Sequence, residues 1–272
     1  MKIFIDSADL DEIKEAKDLG LLDGVTTNPS LIKKAFEKRK EKGFEIEDYI
    51  CEILKVCKGK PVSLEVVGKT YDEMISEGRN LFKKFNKISK NVYVKIPVNP
   101  CLEDKCSRSS DGIKAIKELS KNKIPVNCTL VFTPEQALLA AKAGAKIVSP
   151  FTGREDDYLR EVNRIKFEKE DYFPKKGFKN KNKILEDNGI VSGVHLVEEC
   201  VKILKASKLK TEVLAASIRN LKQFREVGMA GADIATIPII IIRSLLIHEK
   251  TSEGMRNFTK DVIPEYKKVV KK

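Results

Sequence analysis

No apolar run in the chain approaches the roughly 20 residues that a membrane span needs. The longest candidate, Ile237 to Ile242, is short and interrupted by Pro238. The N-terminus lacks the basic, apolar and small-residue succession of a signal peptide, so a cytoplasmic protein is expected. Cysteine is sparse: six residues, at 51, 57, 101, 106, 128 and 200, form no C-x-x-C pair, and the two histidines lie far from any cysteine cluster. In a chain of 272 residues that excludes a disulfide scaffold and makes reduced, packed thiols the expectation rather than a metal site. Arginine is scarce as well, ten of the 52 basic residues. Arginine is the better fork for phosphates and bases, so the net charge of +12 reads as lysine-rich, solvated helix faces. A basic surface also steers small anionic substrates. A nucleic-acid-binding protein using KKGFKNKNK (175–183) is the remote alternative, without a recognised binding motif and with few aromatic residues near those lysines.

What is present is an alternation. Short apolar stretches at 2–6, 24–27, 61–67, 91–98, 125–131, 145–151, 212–217 and 232–237 read as strands, separated by segments of helical period. Ser7-Ala8-Asp9 and Thr133-Pro134-Glu135 are helix starts, and AGA at 143–145 and 230–232 ends helices on glycine just before a strand. Eight strands alternating with about eight helices predict one α/β domain over 1–272, a parallel (β/α)8 TIM barrel, which fits a fold of about 250 residues. An open, doubly wound sheet is the alternative, but no G-x-G-x-x-G follows the first strand, which ends in Asp6. Two parts fall outside the alternation. Residues 155–190 are charged and poor in apolar side chains, and 158–190 read as an exposed, lid-like insertion after the sixth strand. Residues 251–272 read as an extra C-terminal helix with a basic tail.

Barrel chemistry sits at the C-terminal ends of the strands. Those ends carry Asp6, Asn28, Glu65, Lys95, Asn127 with Thr129, Ser149, Ser217 and Arg219, a ring of polar groups on otherwise apolar strands. Lys95 stands out because it is set within NVYVKIPVN, where both strand faces read as buried. One reading is an interior lysine neutralised by Asp6 or Glu65. The other is a nucleophile: desolvation favours the neutral amine, which adds to a ketone and forms a Schiff base, an electron sink for carbon–carbon cleavage. Such a retro-aldol step also needs a base for the hydroxyl beside the breaking bond, which Asp6 or Glu65 supplies, and hydroxyl and amide groups to orient a polyol. Cationic forks for a phosphate are at hand in Arg154 and Arg219.

FIDSAD (4–9), GVTTNPSLI (24–32), VSLEV (62–66), VYVKIPV (92–98), NCTLVFTPEQA (127–137), SPFTGR (149–154), AASIRN (215–220) and GADIATIP (231–238) occur in that order. With them the chain resembles the transaldolase family of class I aldolases, in its compact microbial branch, which includes fructose-6-phosphate aldolases. The resemblance covers nearly the whole chain except about 158–190 and a slightly enlarged loop at 100–110. It implies a Schiff base on Lys95, acid/base work by Asp6, and proton movement through Glu65, Thr129 and a water. It further implies that Asn28 and Ser149 hold the dihydroxyacetone unit and that Arg154, Ser217 and Arg219 bind phosphate, while Asn127 and Phe151 complete the site. The implied reaction converts sedoheptulose 7-phosphate and glyceraldehyde 3-phosphate to erythrose 4-phosphate and fructose 6-phosphate, with no metal or organic cofactor. A homo-oligomer, pentamer or decamer, with the C-terminal helix on a neighbour is implied too. The alternative within the branch is an aldolase that releases free dihydroxyacetone. Aldolase-type relatives carry glutamine at the position of Glu65 and tyrosine at that of Phe151, so both residues side with transfer.

Overall fold

A computed structural model describes residues 1–38, 45–103, 106–180 and 183–271. The eight expected stretches form strands β1 (Lys2–Asp6), β2 (Gly24–Thr26), β3 (Val62–Glu65), β4 (Val92–Pro97), β5 (Val126–Val131), β6 (Ile147–Pro150), β9 (Glu212–Ala215) and β10 (Ile234–Ile237). All pair in parallel with their neighbours, and β1 closes on β10, Lys2 opposite Ile234, so the sheet is a closed barrel and not the open alternative. Strand alternation sorts the core into two parts. Ile5, Val25, Val62, Leu64, Val94, Ile96, Val126 and Val148 point out into the large core shared with the helices. Phe4, Ile147, Leu214, Ala216 and Ile234, with Tyr93 and Phe151, fill the barrel itself. Gly24 makes room there, since a Cβ at that position would lie 2.5 Å from the Phe4 ring.

Outside the barrel run α1 (Leu10–Asp18), α2 (Pro29–Glu37), α3 (Ile46–Val56), α4 (Tyr71–Ser89), α5 (Asp111–Lys121) and α6 (Pro134–Lys142). Beyond β6 come α7 (Thr152–Val162), α8 (Gly193–Ala206), α9 (Leu221–Met229), α10 (Ile239–Leu245), α11 (Glu249–Lys260) and α12 (Pro264–Val270). The caps are chemical. Thr133 and Gln136 close a capping box around Pro134 at the start of α6, and Thr70 with Glu73 do the same for α4. Gly144 and Gly231, at φ +104° and +90°, turn the chain from helix to strand as the AGA triplets predict. No described helix is long and apolar enough to cross a membrane.

Three expectations change. Residues 155–190 are not a wholly exposed excursion. Their first part is α7, which buries Glu155, Asp156, Leu159 and Arg160. The Arg160 guanidinium lies 5.0 Å from the rings of both Phe167 and Phe173, and its Nη2 donates to the Asp171 carbonyl, so the segment packs back on α7, while Tyr172 Oη donates to Glu226 Oε1 of α9 at 2.7 Å. A two-stranded ribbon, β7 (Lys179–Asn180) with β8 (Lys183–Ile184), follows; Lys181 and Asn182 of the KKGFKNKNK stretch lie outside the described residues. The thiols are not all reduced. Cys101 and Cys106 form a disulfide, because the loop after β4 folds back at Asn99, whose side chain accepts from the Cys101 N–H, leaving the two Cα atoms 6.0 Å apart. Residues 104 and 105 of that loop lie outside the described residues. The C-terminal segment is two helices, broken before Pro264, which lacks the N–H to continue a helix; residue 272 lies outside the described residues.

Candidate active site

Moving two residues along each strand from the interior plug leads to its next layer: from Phe4 to Asp6, Gly24 to Thr26, Tyr93 to Lys95, Ile147 to Ser149, Ile234 to Thr236. All five destinations line one cavity of about 90 Å³ at the C-terminal end of the barrel, together with Asn28, Thr129, Phe151, Arg154 and Ser217. Of the eleven residues picked out in the sequence, eight therefore meet here.

Lys95 is the centre of the cavity's chemistry. It is 6% exposed, and Glu65, its register partner on β3, places Oε2 at 3.0 Å from Nζ. Nζ also donates to the Thr27 carbonyl at 3.3 Å. Both readings of Lys95 thus meet in one geometry: a buried ammonium needs a counter-charge, and a carboxylate in contact with it is also where its proton can go. Asp6 Oδ1 accepts from Thr26 Oγ1 at 2.8 Å, and Thr26 shares a 2.6 Å hydroxyl contact with Thr236. Burial pushes the Asp6 carboxyl above the usual carboxylate range, outweighing the Thr26 hydroxyl and the charges of Lys95 and Arg154, which pull the other way. A carboxyl raised in this way is a stronger base toward a substrate hydroxyl and can return the same proton.

The other residues divide by what their polar atoms already hold. Thr129 Oγ1 is buried without a hydrogen-bond partner, one residue before Leu130, which sits at φ +58° where β5 slips register against β6. Asn28 caps α2 by accepting from the Leu31 N–H, while its residue still walls the cavity. Asn127 does not line the cavity. Its amide donates to Ser63 Oγ and accepts from Ser149 Oγ at 2.7 Å, so it holds Ser149 from beneath. Phe151 packs on Phe132 with centroids 5.8 Å apart, and the exposed Arg154 guanidinium lies 5.0 Å over its ring. Ser217 adopts φ +59°, a strained left-handed turn for a side-chain residue, and its carbonyl receives the Gly153 N–H. Only glycine fits at 153, because a Cβ would come within 2.2 Å of that carbonyl. Arg219 stands just outside the cavity, donating to Ser217 Oγ and to Asp157 Oδ2 at 2.8 Å. Among the described residues no three His, Cys, Asp or Glu side chains converge as a metal site.

Sequence reasoning missed Thr26, Thr236 and Ser63, which position Asp6 and Asn127; the strand parity that points Asp6 and Asn127 inward points them inward as well. It also missed the acids of α7. Glu155 and Asp156 are each 1% exposed, and both carboxyls are pushed up to about 7, chiefly by burial; Asp187 and then Asp156 add repulsion at Glu155. In the unfolded chain these carboxyls return to the ordinary range, so the folded form holds extra protons between about pH 4 and 7. Their contribution is therefore intact at low pH and is lost as pH rises through 7. Glu155→Met, which keeps the volume and deletes the carboxyl, should raise Tm. The gain should be larger at pH 8 than at pH 5, by on the order of 2 kcal/mol in stability. Thermal unfolding at the two pH values checks this, and an equal gain at both would refute the protonation account.

With this geometry in hand, comparison with known proteins is informative. The profile of the Transaldolase/Fructose-6-phosphate aldolase family matches residues 3–271. A protein of Chlorobium phaeobacteroides named probable transaldolase is 42% identical over 263 residues, covering 96% of this chain and 97% of that one. A probable transaldolase of Bacteroides thetaiotaomicron is 42% identical over 269 residues, covering 99% of each chain. A probable transaldolase of Nitrosopumilus maritimus is 41% identical over 262 residues, covering 96% of this chain and 94% of that one.

Proposed function

The chain belongs to the transaldolase/fructose-6-phosphate aldolase family, and on that premise we propose that it is a transaldolase that carries dihydroxyacetone between sugar phosphates on Lys95. The observation that carries the reading is the buried Lys95 ammonium held 3.0 Å from Glu65 in a cavity that also presents Asp6. In the proposed sequence Glu65 takes the Lys95 proton, and the neutral amine adds to C2 of fructose 6-phosphate. Loss of water from the carbinolamine, with Glu65 and the free hydroxyl of Thr129 moving the protons, leaves the iminium. Asp6 then removes the C4 hydroxyl proton, the C3–C4 bond breaks, and its electron pair flows to the iminium nitrogen to give an enamine. Glyceraldehyde 3-phosphate leaves. Erythrose 4-phosphate takes its place, the enamine carbon attacks its aldehyde, Asp6 returns the proton to the new hydroxyl, and hydrolysis frees sedoheptulose 7-phosphate. Asn28 and Ser149 hold the three-carbon unit, and Arg154, Ser217 and Arg219 receive the phosphate.

Transfer is favoured over hydrolytic release by Phe151, which offers the cavity a ring and no hydroxyl to orient a water. Phe151→Tyr should raise the ratio of free dihydroxyacetone to transferred product on the order of tenfold, the worth of one added hydrogen bond; an unchanged ratio removes this discriminator. The reading itself is tested by giving the enzyme fructose 6-phosphate with and without erythrose 4-phosphate. Glyceraldehyde 3-phosphate formed only with the acceptor supports transfer. Its release without acceptor, with dihydroxyacetone accumulating, means aldolase.

A homo-oligomer fits the C-terminal surface. Neither α11 nor α12 buries a residue, and Met255, Phe258, Ile263, Tyr266 and Val269 stand exposed, more apolar surface than a monomer usually leaves open. Sedimentation should show a multimer that Phe258→Glu weakens; a wild-type monomer at micromolar concentration would contradict it.

A further inference from the structure

The catalytic cavity, at about 90 Å³, is well below the roughly 300 Å³ at which small-molecule pockets begin. A second cavity of about 530 Å³ opens beside it, and Arg154 walls both. Its other walls come from Phe132 after β5, from α7, and from Lys169, Asp187 and Arg219 further along the chain. We propose that this side cavity is the subsite for the distal end of long-chain aldose phosphate acceptors, five carbons or more, in which Glu155 and Asp187 accept hydrogen bonds from the acceptor's hydroxyls. The proposal rests on the transaldolase reading and adds to it a substrate class and two specificity-determining residues.

An acceptor one carbon longer carries its distal end further from the enamine, and Arg154, which walls both cavities, marks the way out. Chemistry then identifies what the side cavity holds. Glu155 is 1% exposed and walls the cavity, yet its Oε1 has no hydrogen-bond partner. A buried polar atom left unpaired is costly unless a ligand satisfies it. Bare phosphate is the wrong ligand, because carboxyls at 155 and 187 face it. Hydroxyls are the right one, since they donate to carboxyl oxygens, and the ring of Tyr158 offers a face for the carbon chain. Arg219 shares its charge with Asp157 at 2.8 Å. Lys169, exposed at the rim, adds a cation beyond Arg154 and Arg219 for the phosphate of a longer acceptor.

The test compares erythrose 4-phosphate with ribose 5-phosphate as acceptors, with fructose 6-phosphate as donor throughout. Glu155→Met should lower kcat/KM for the five-carbon acceptor about tenfold more than for the four-carbon one, mostly through KM, as expected for a lost hydrogen bond to a carboxyl. Asp187→Ala, on the less buried wall, removes the second acceptor and should move the ratio the same way. An unchanged ratio, an equal loss for both acceptors, or no turnover of ribose 5-phosphate by the wild type overturns the proposal. Borohydride trapping of the fructose 6-phosphate adduct on wild-type Lys95 separates the two levels: trapping with an unchanged ratio removes only the subsite, and no trapping removes the transaldolase reading beneath it.

Discussion

Lys95→Met is expected to reduce turnover by at least about 10⁴-fold, the scale on which removal of a covalent nucleophile acts. Methionine fills nearly the same volume, and the position is only 6% exposed, so the barrel should close as before. What goes is the only amine among the described residues that line the cavity, and with it the imine. The substitution also leaves Glu65 without its 3.0 Å partner, so some stability should be lost; an unchanged near-ultraviolet spectrum separates lost chemistry from lost fold. Residual turnover near one part in a hundred would mean that the imine forms elsewhere or not at all.

Asp6→Asn divides the reaction instead of abolishing it. The amide oxygen of Asn can still accept from Thr26 Oγ1, which lies 2.8 Å from Asp6 Oδ1 and is itself in contact with Thr236, so the side chain should keep its place. Imine formation depends on Lys95 and Glu65 and should persist, whereas cleavage loses its base. We expect trapped adduct with fructose 6-phosphate but a 10²- to 10⁴-fold slower release of glyceraldehyde 3-phosphate. Wild-type cleavage rates in this variant would take the acid/base role away from Asp6. Equal loss of adduct and cleavage would mean that the carboxylate serves the first step.

The barrel was legible because its strands are short, apolar and alternate with well-capped helices, and because Asp6 closes the first strand where a nucleotide-binding turn would need glycine. The rim was legible for the same reason: polar residues at the ends of apolar strands have few structural uses. What stayed hidden was settled by contacts between distant segments. The charged stretch after β6 reads as solvent-facing, yet Phe173 and the stacked Arg160 tie it down, and α7 buries Asp156 against α8 and α9, where Gly193 N–H and Gln223 donate to it. Spacing alone does not reveal that Cys101 and Cys106 meet, since that depends on how the loop folds back. Asn127 looked like a substrate ligand, but its amide is spent on Ser63 and Ser149. The pairing of Arg219 with Asp157 is likewise invisible until α7 and the end of β9 are brought together by Gly153. Hydrophobic pattern thus locates the site, while the division of labour among its polar atoms emerges only in three dimensions.

The most direct test of the central claim is reduction of the wild-type enzyme with borohydride in the presence of fructose 6-phosphate, followed by peptide mapping. A three-carbon adduct on the peptide carrying Lys95, absent without the sugar phosphate, is the predicted result. An adduct on another lysine, or none under turnover conditions, would contradict the Schiff-base account.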